Sequence, residues 1–260
     1  IPAGEGARIA WLYAHGEAGS LVGVDSTAYV STPEARSRID SGAVVEVSKD
    51  WAPNIELLIS LAPDAVFTYG MGNEWDVHPK MAEAGLPVVI SGEWNEADPL
   101  GRAEWMKFIA AFYGKDAEAA AYFDRVAAEY ERIRDRIAVL SYAPAVLVNG
   151  PFQGSWTVSG GGSYMARLVA DAGGRYLWSD DRGTGGLTLS IEAVYERALK
   201  AAVWLNPGAG VASIKDLAAL DPRFASLPVV KSRNVWNNTL RAVPSGGNDY
   251  YEGAVLNPDK

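Results

Sequence analysis

The sequence predicts an α/β protein of two lobes, each with a parallel-rich central sheet flanked by helices, joined by one long rigid backbone helix. Three observations predict it. Short apolar runs alternate with helical patterns through the first third. Apolar residues between Asp116 and Leu140 recur at steps of four and three. Beyond Pro144 the alternation of strand and helix starts again.

In chain order, Leu21 to Val24 and Val44 to Val47 read as short strands. Asn54 to Leu61 reads as a helix with Ile55, Leu58, Ile59 and Leu61 apolar. Pro63-Asp64 turns the chain into the strand Ala65 to Thr68, ending at Tyr69-Gly70. A helix over about Glu74 to Ala84 stops at Gly85, and Pro87 to Ile90 is the next strand. Strands separated by helices must run parallel. Trp105, Phe108, Ile109 and Phe112 then share one face of a helix spanning Leu100 to Phe112.

After Gly114, the positions Ala119, Phe123, Val126, Tyr130, Ile133, Ile137 and Leu140 keep a helical period for about 25 residues, a rod of roughly 37 Å. Such a rod is either a dimerising arm or a strut between lobes. The α/β pattern beyond it favours the strut. Ala145 to Val148 and Trp156 to Val158 are strands, followed by a helix from Ser163 to Ala172. Leu189 begins another helix, Ala202 to Leu205 is a strand, Ser213 to Leu220 a helix, and Asn234 to Trp236 a last strand. The expected organisation is an N-terminal lobe over 1–98, a helical region over 99–141 and a C-terminal lobe over 142–260.

Composition excludes several functions. The chain of 260 residues is 48% hydrophobic, 21% charged and carries a net charge of −9. Coating nucleic acid needs clustered cations, and none occur. Without cysteine there is no disulfide, thiolate metal site or thiol nucleophile, and His15 and His78 alone do not make a multi-histidine centre. No catalytic, cofactor or metal set is therefore expected. No apolar run is long enough to span a membrane, and Ile1 to Arg8 do not read as a secretory leader, so a leader is expected to have been removed or never present. Nine Trp and twelve Tyr suit a site that grips a bulky, partly apolar ligand by flat contacts.

The Ser159-Gly160-Gly161-Gly162-Ser163 run matches neither a Walker nor a dinucleotide fingerprint and reads as a tight strand-to-helix turn near a ligand cleft. No GxSxG elbow is present, and Asp76 and His78 fit a surface or capping role. Asn248 to Glu252 is either a polar-aromatic ligand patch or a plain loop.

Taken in order, the motifs resemble a known family. Ile55-Glu56-Leu57-Leu58-Ile59-Ser60-Leu61-Ala62-Pro63-Asp64-Ala65-Val66 is similar to the "E-x-L-L-x-L-x-P-D-x-V" signature of the helical-backbone binding proteins of ABC importers. These carry ferric siderophores, haem and cobalamin. Met81 to Val89 resembles the family's "L-x-x-x-G-I-P-V-V" step, Ser163 to Gly174 its second-lobe helix, and Leu189 to Val194 the step mirroring Ile55 to Leu61. Gly114-Lys115 and Gly247-Asn248-Asp249-Tyr250 are closest to a Bacteroidetes-type iron-complex branch. Ile1 to Glu17 departs from the pattern, leaving Trp11-Leu12-Tyr13 unplaced. The sequence stops at Asn257-Pro258-Asp259-Lys260, where relatives continue into a closing C-terminal helix; either the sequence is incomplete there or the branch differs.

The resemblance implies a periplasmic monomer, free or lipid-anchored, that captures a metal-chelate between its lobes and delivers it to an ABC permease dimer. It implies docking on the permease through one acidic residue per lobe, by position Glu74 and Glu192. For the ligand, the aromatics at strand ends and cleft loops are the candidates: Tyr69, Trp94, Trp156, Trp178, Trp236 and Tyr250. Arg182 and Arg241 are the candidates for an anionic group. The competing class is a bilobal α/β enzyme such as a chelatase or sugar-nucleotide transferase.

Overall fold

The computed structural model describes residues 5–49 and 52–260; Ile1 to Gly4, where the expected first lobe begins, lie outside the described residues. The chain opens with helix α1 (Glu5–Ala14), strand β1 (Gly23–Val24), α2 (Pro33–Asp40) and β2 (Val45–Glu46). A small hairpin of β3 (Ser48–Lys49) and β4 (Ala52–Pro53) leads to α3 (Ile55–Leu61). Asn54 caps α3 by accepting the Leu57 N–H at 3.0 Å, and Ala62 ends it in the left-handed region at φ 46°. Then come β5 (Val66–Thr68), α4 (His78–Glu83) and β6 (Val88–Ile90). β1 pairs with β2 and β5 with β6, both parallel, Val66 lying opposite Val88.

The expected helix over Leu100 to Phe112 is two helices, α5 (Pro99–Glu104) and α6 (Met106–Ala111). They part at Trp105, whose indole N–H is drawn to Glu96 at 2.9 Å. α7 (Asp116–Ala138) is the long helix the periodicity predicts. Its first half buries Ala119 with Trp11, Leu12, Met106, Ile109 and Ala110. Its second half lies on the other lobe. There Tyr130 donates to Asp171 at 2.9 Å, and Ile137 fits so closely over Gly173 that a Cβ would fall 2.3 Å from its Cγ2. α7 is thus the strut.

The second lobe contains β7 (Ala145–Val148), β8 (Ser155–Ser159), α8 (Tyr164–Asp171), β9 (Arg175–Tyr176) and β10 (Gly186–Ser190). α9 (Ile191–Ala198), β11 (Val203–Leu205), α10 (Ile214–Leu220), α11 (Pro228–Lys231) and β12 (Val235–Trp236) complete it. Its four-stranded sheet runs β12-β11-β7-β9, all parallel. All four residues of β7 are buried, as a central parallel strand covered on both faces requires. Leu189 and Ser190 prove to end β10, antiparallel to β8, and Ser190 caps α9 by accepting the Ala193 N–H. The core here gathers Trp156, Trp204, Phe224, Leu147, Val194 and Leu217.

After β12 the chain crosses back, and a short helix, α12 (Asp249–Gly253), packs on the first lobe. Val255 and Leu256 enter the cluster with Trp11, and Tyr122 donates to Asn257 at 2.7 Å. The Glu252 carboxylate is buried against the start of α2. It accepts the Ser31 and Thr32 N–H groups at 2.9 and 2.7 Å and both of their hydroxyls. The N-terminal run left unplaced by the resemblance is α1, with Trp11 wholly buried. Two connections, α7 and this returning segment, therefore tie the lobes.

Candidate functional site

In open parallel sheets ligands bind beyond the carboxyl ends of the strands, where loops diverge. Four such loops matter here. After β5, Tyr69 to Trp75 project outward. Gly70 runs so close to His78 that a Cβ would lie 3.0 Å from its ring. Asp76 folds back to accept the Met71 and Gly72 N–H groups at 2.7 and 2.8 Å, while Asn73 Oδ1 accepts the Trp75 N–H at 3.0 Å. These amides hold the Asp76 carboxyl below its ordinary value of 3.8. They also explain why the helix expected from Glu74 begins only at His78. The loop is a braced turn with Trp75 80% exposed at its tip.

After β6, Ser91 and Glu93 are buried and hydrogen-bonded to each other, Glu93 also pairs with Arg8 at 3.6 Å, and Trp94 stands exposed. After β7, Gln153 and Gly154 both have positive φ, the signature of a two-residue hairpin turn, and Phe152 sits at its edge 75% exposed. Gly150 passes against Pro207, where a Cβ would fall 1.8 Å from the carbonyl oxygen. At the carboxyl end of β12, Trp236 is 63% exposed with its indole N–H donated to Asn234 at 2.7 Å, and Leu240 follows, almost fully exposed.

The exposed apolar side chains on these loops are thus Tyr69, Met71, Trp75 and Trp94 from the first lobe, with Phe152, Trp236 and Leu240 from the second. Three of the aromatic candidates, Tyr69, Trp94 and Trp236, stand among them. Trp156 does not. It is 0% exposed, stacked on Trp204 at 5.4 Å and edge-on to Phe224, because β8 turns Trp156 and Val158 inward. Trp178 is likewise core, 5.8 Å from Tyr176 and under the Arg197 guanidinium.

Tyr250 is a joint between elements. Its phenol reaches Asn206 beside Tyr164 and Arg102, and burial pushes its pKa up. Arg241 is exposed and paired with Asp249 at 2.7 Å, and Arg182 is exposed on the loop after β9. That loop lies directly on the glycine run. Cβ atoms on Gly160 and Gly161 would meet the carbonyls of Gly183, Asp181 and Trp178 at 2.2–2.3 Å. The glycines therefore serve close backbone packing. Glu74 is exposed on the braced turn, and Glu192 is exposed in the first turn of α9.

Trp75 and Phe152 were legible only through their turns: Met71-Gly72-Asn73 and Gln153-Gly154 are turn chemistry that puts the flanking ring at a loop edge. Two surface grooves, of about 640 Å³ along α8 and about 420 Å³ along α7, contain none of these rings. Among the described residues no cluster of His, Asp and Glu is suited to a metal ion, and no helix is long and apolar enough to cross a membrane.

Comparison with known proteins fits this geometry. Residues 1–238 match the model of a family described as periplasmic binding protein. Two lipoproteins of Methanocaldococcus jannaschii are 29% identical over 227 residues and 30% identical over 225, covering 84% and 82% of this chain. The chain spans about half their length, 51% and 56%. Among solved structures, the periplasmic haem-binding protein HutB of Vibrio cholerae superposes with a TM-score of 0.72 at 16% identity, over 98% of this chain and 95% of its own. The vitamin B12-binding protein BtuF of the same organism gives 0.62 at 16% identity, over 100% and 94%. Both share the bilobal fold with its long helix. The matched family is one of binding proteins, which sets the enzyme reading aside. The chain belongs to the periplasmic binding protein family.

Proposed function

We propose that this chain is the solute-capture component of an ABC importer, acting as a monomer outside the cytoplasmic membrane. It takes a metal-chelate of the ferric siderophore, cobalamin or haem kind against the strand-end loops and hands it to a permease dimer. The observation that carries this is the concentration of exposed rings on the carboxyl-end loops of both lobes. Large apolar side chains gathered on one set of loops mark interaction sites, and Trp75, Phe152 and Trp236 are exposed on these loops. Flat rings at the ends of rigid strands suit the face of a macrocycle or chelate, and two inter-lobe connections suit small closure rather than wide hinging. The likeness of Gly114-Lys115 and of Gly247 to Tyr250 to an iron-complex branch favours a ferric chelate. The lipoprotein relatives favour a lipid anchor for the whole protein. Glu74 and Glu192, one on each lobe, are the docking carboxylates of this reading, where opposite charge speeds encounter and fixes orientation.

Tryptophan fluorescence tests it. The protein is titrated with a ferric hydroxamate, a ferric catecholate, haem and cobalamin. Saturable quenching below micromolar concentration by one of them supports capture and names the class. Flat titrations of folded protein with all four contradict it.

A further inference from the structure

The sequence holds no run of cations, yet the fold assembles one. The four parallel strands of the second lobe begin along one edge. There Ala145 lies opposite Arg175, the Ala202 N–H donates to the Ala145 carbonyl at 2.8 Å, and the Trp204 N–H donates to the Asn234 carbonyl at 3.0 Å. Arg233, Lys200 and Arg175 stand at or just before the starts of β12, β11 and β9, an edge roughly 14 Å wide at about 4.8 Å per strand. α7 ends at the same place. Ile137 lies over Gly173, two residues before Arg175, and Arg136 is in the helix's last turn. All four cations are exposed, and none makes a salt bridge among the described residues. The nearby carboxylates of Asp135 and Asp171 are already held, the first by Arg134 and the second by Arg167 and Tyr130. Helix C-termini attract cations through the helix dipole, which accounts for Arg136 and Lys200. It does not account for the apolar side chains beside them. Val139, Leu140 and Tyr142 follow α7 with exposures of 82%, 64% and 73%. Val139, still helical and three residues beyond Arg136, continues its face of the helix. Unpaired cations around exposed aliphatic and tyrosine side chains fit a lipid surface. The cations hold headgroup phosphates while the apolar groups enter the boundary between headgroups and acyl chains. Nucleic acid would engage the cations and leave Val139 and Leu140 in water.

We propose that the amino-end edge of the second lobe's sheet rests on an anionic phospholipid bilayer. Phe152 and Trp236 lie at the opposite, carboxyl ends of these strands. The lobe on the bilayer therefore turns those rings toward the medium, where a solute arrives. The net charge of −9 repels the rest of the surface from such a layer and makes the contact one-sided. This contact needs neither chelate nor permease, so it stands or falls apart from the importer reading.

The chain has no cysteine, so Leu140→Cys takes a single environment-sensitive fluorophore, and Phe152→Cys places the same label at the far end of the sheet. Each labelled full chain is titrated at low salt with vesicles of phosphatidylcholine alone and of equal parts phosphatidylcholine and phosphatidylglycerol. The label at position 140 should brighten and shift to the blue, saturably, with the phosphatidylglycerol vesicles only. The label at position 152 should stay unchanged. Arg175→Ala should weaken the response about fivefold, the share of one cation at an anionic surface. Val139→Ser, at an exposed position, should also weaken it while leaving the melting temperature unchanged. No response to the anionic vesicles overturns the proposal, and so does an equal response at both positions, because the contact would then have no side. An equal response to neutral vesicles overturns it too. A stronger response to double-stranded DNA does the same, since the edge would then be a general polyanion site.

Discussion

Replacing Glu252 by alanine should unfasten the returning C-terminal segment, because four donors converge on that one buried carboxylate. Two are backbone amides, of Ser31 at 2.9 Å and Thr32 at 2.7 Å, and two are the hydroxyls of the same residues. Glu252 is 4% exposed, so water cannot replace the lost acceptor without opening α12 from α1 and α2. Hydrogen bonds to a charged group are worth about 1.5–3 kcal/mol each, but strain and partial rehydration keep the sum below simple addition. Breaking a buried charged network by removing one partner costs about 3–5 kcal/mol, which is the loss expected here. Glu252→Gln keeps the shape and one acceptor oxygen and should lose about 1–2 kcal/mol. Urea unfolding followed by tryptophan fluorescence measures both. Hydrogen exchange should show the Ser31 and Thr32 amides and residues 249–256 losing protection together. A loss under about 1 kcal/mol for Glu252→Ala would mean that the carboxylate does not fasten the segment.

Trp156→Ala should destabilise the second lobe by about 3–5 kcal/mol in thermal or urea unfolding, since the ring fills a core against Trp204 and Phe224. An unchanged stability would return Trp156 to the surface. Gly150→Ala should lower stability by at least about 1–3 kcal/mol, because no side chain fits where the Pro207 carbonyl would lie 1.8 Å from its Cβ. A neutral result in a melting experiment would deny that close approach. The Asp76 brace sets a pH dependence. Its folded pKa is below the unfolded 3.8, so its contribution is fully present above that value and is lost as pH falls through the lower folded one. Exchange protection at the Met71 and Gly72 amides should follow this fall and should vanish at all pH values in Asp76→Ala.

The long helix was legible because α7 alternates three- and four-residue steps over its whole length, a pattern no strand or loop sustains. The parallel strands β5, β6, β7 and β11 were legible as apolar runs between turn residues. What escaped the sequence depends on packing partners far along the chain. α12 is five residues of mixed character that fold onto α1 more than two hundred positions away, and only their meeting makes Glu252 a buried clamp. β10 read as the start of a helix because Thr188, Leu189 and Ser190 lead directly into α9, and its pairing with β8 is not a local property.

Among the candidate ligand residues, residue type alone could not separate Trp156 from Trp236, both of which sit in strands. The alternation Trp156, Thr157, Val158 did carry an inward-facing signal, since two apolar residues flank a polar one at the period of a half-buried strand. The placement of Tyr250 against Arg102 and Tyr164 had no such local trace.

The most direct test of ligand capture by the strand-end rings is a comparison of two exposed side chains. The chelate that quenches the wild type best is titrated into Trp236→Ala and into Leu199→Ala, an exposed apolar residue at the end of α9 and away from those loops. Loss of a stacked ring is worth roughly 1.4 kcal/mol, a tenfold change in Kd. The account predicts that weakening for Trp236→Ala, with Leu199→Ala unchanged and both proteins equally stable. Equal affinity in the two variants would contradict it, because the chelate would then bind without the ring that the carboxyl end of β12 holds out to meet it.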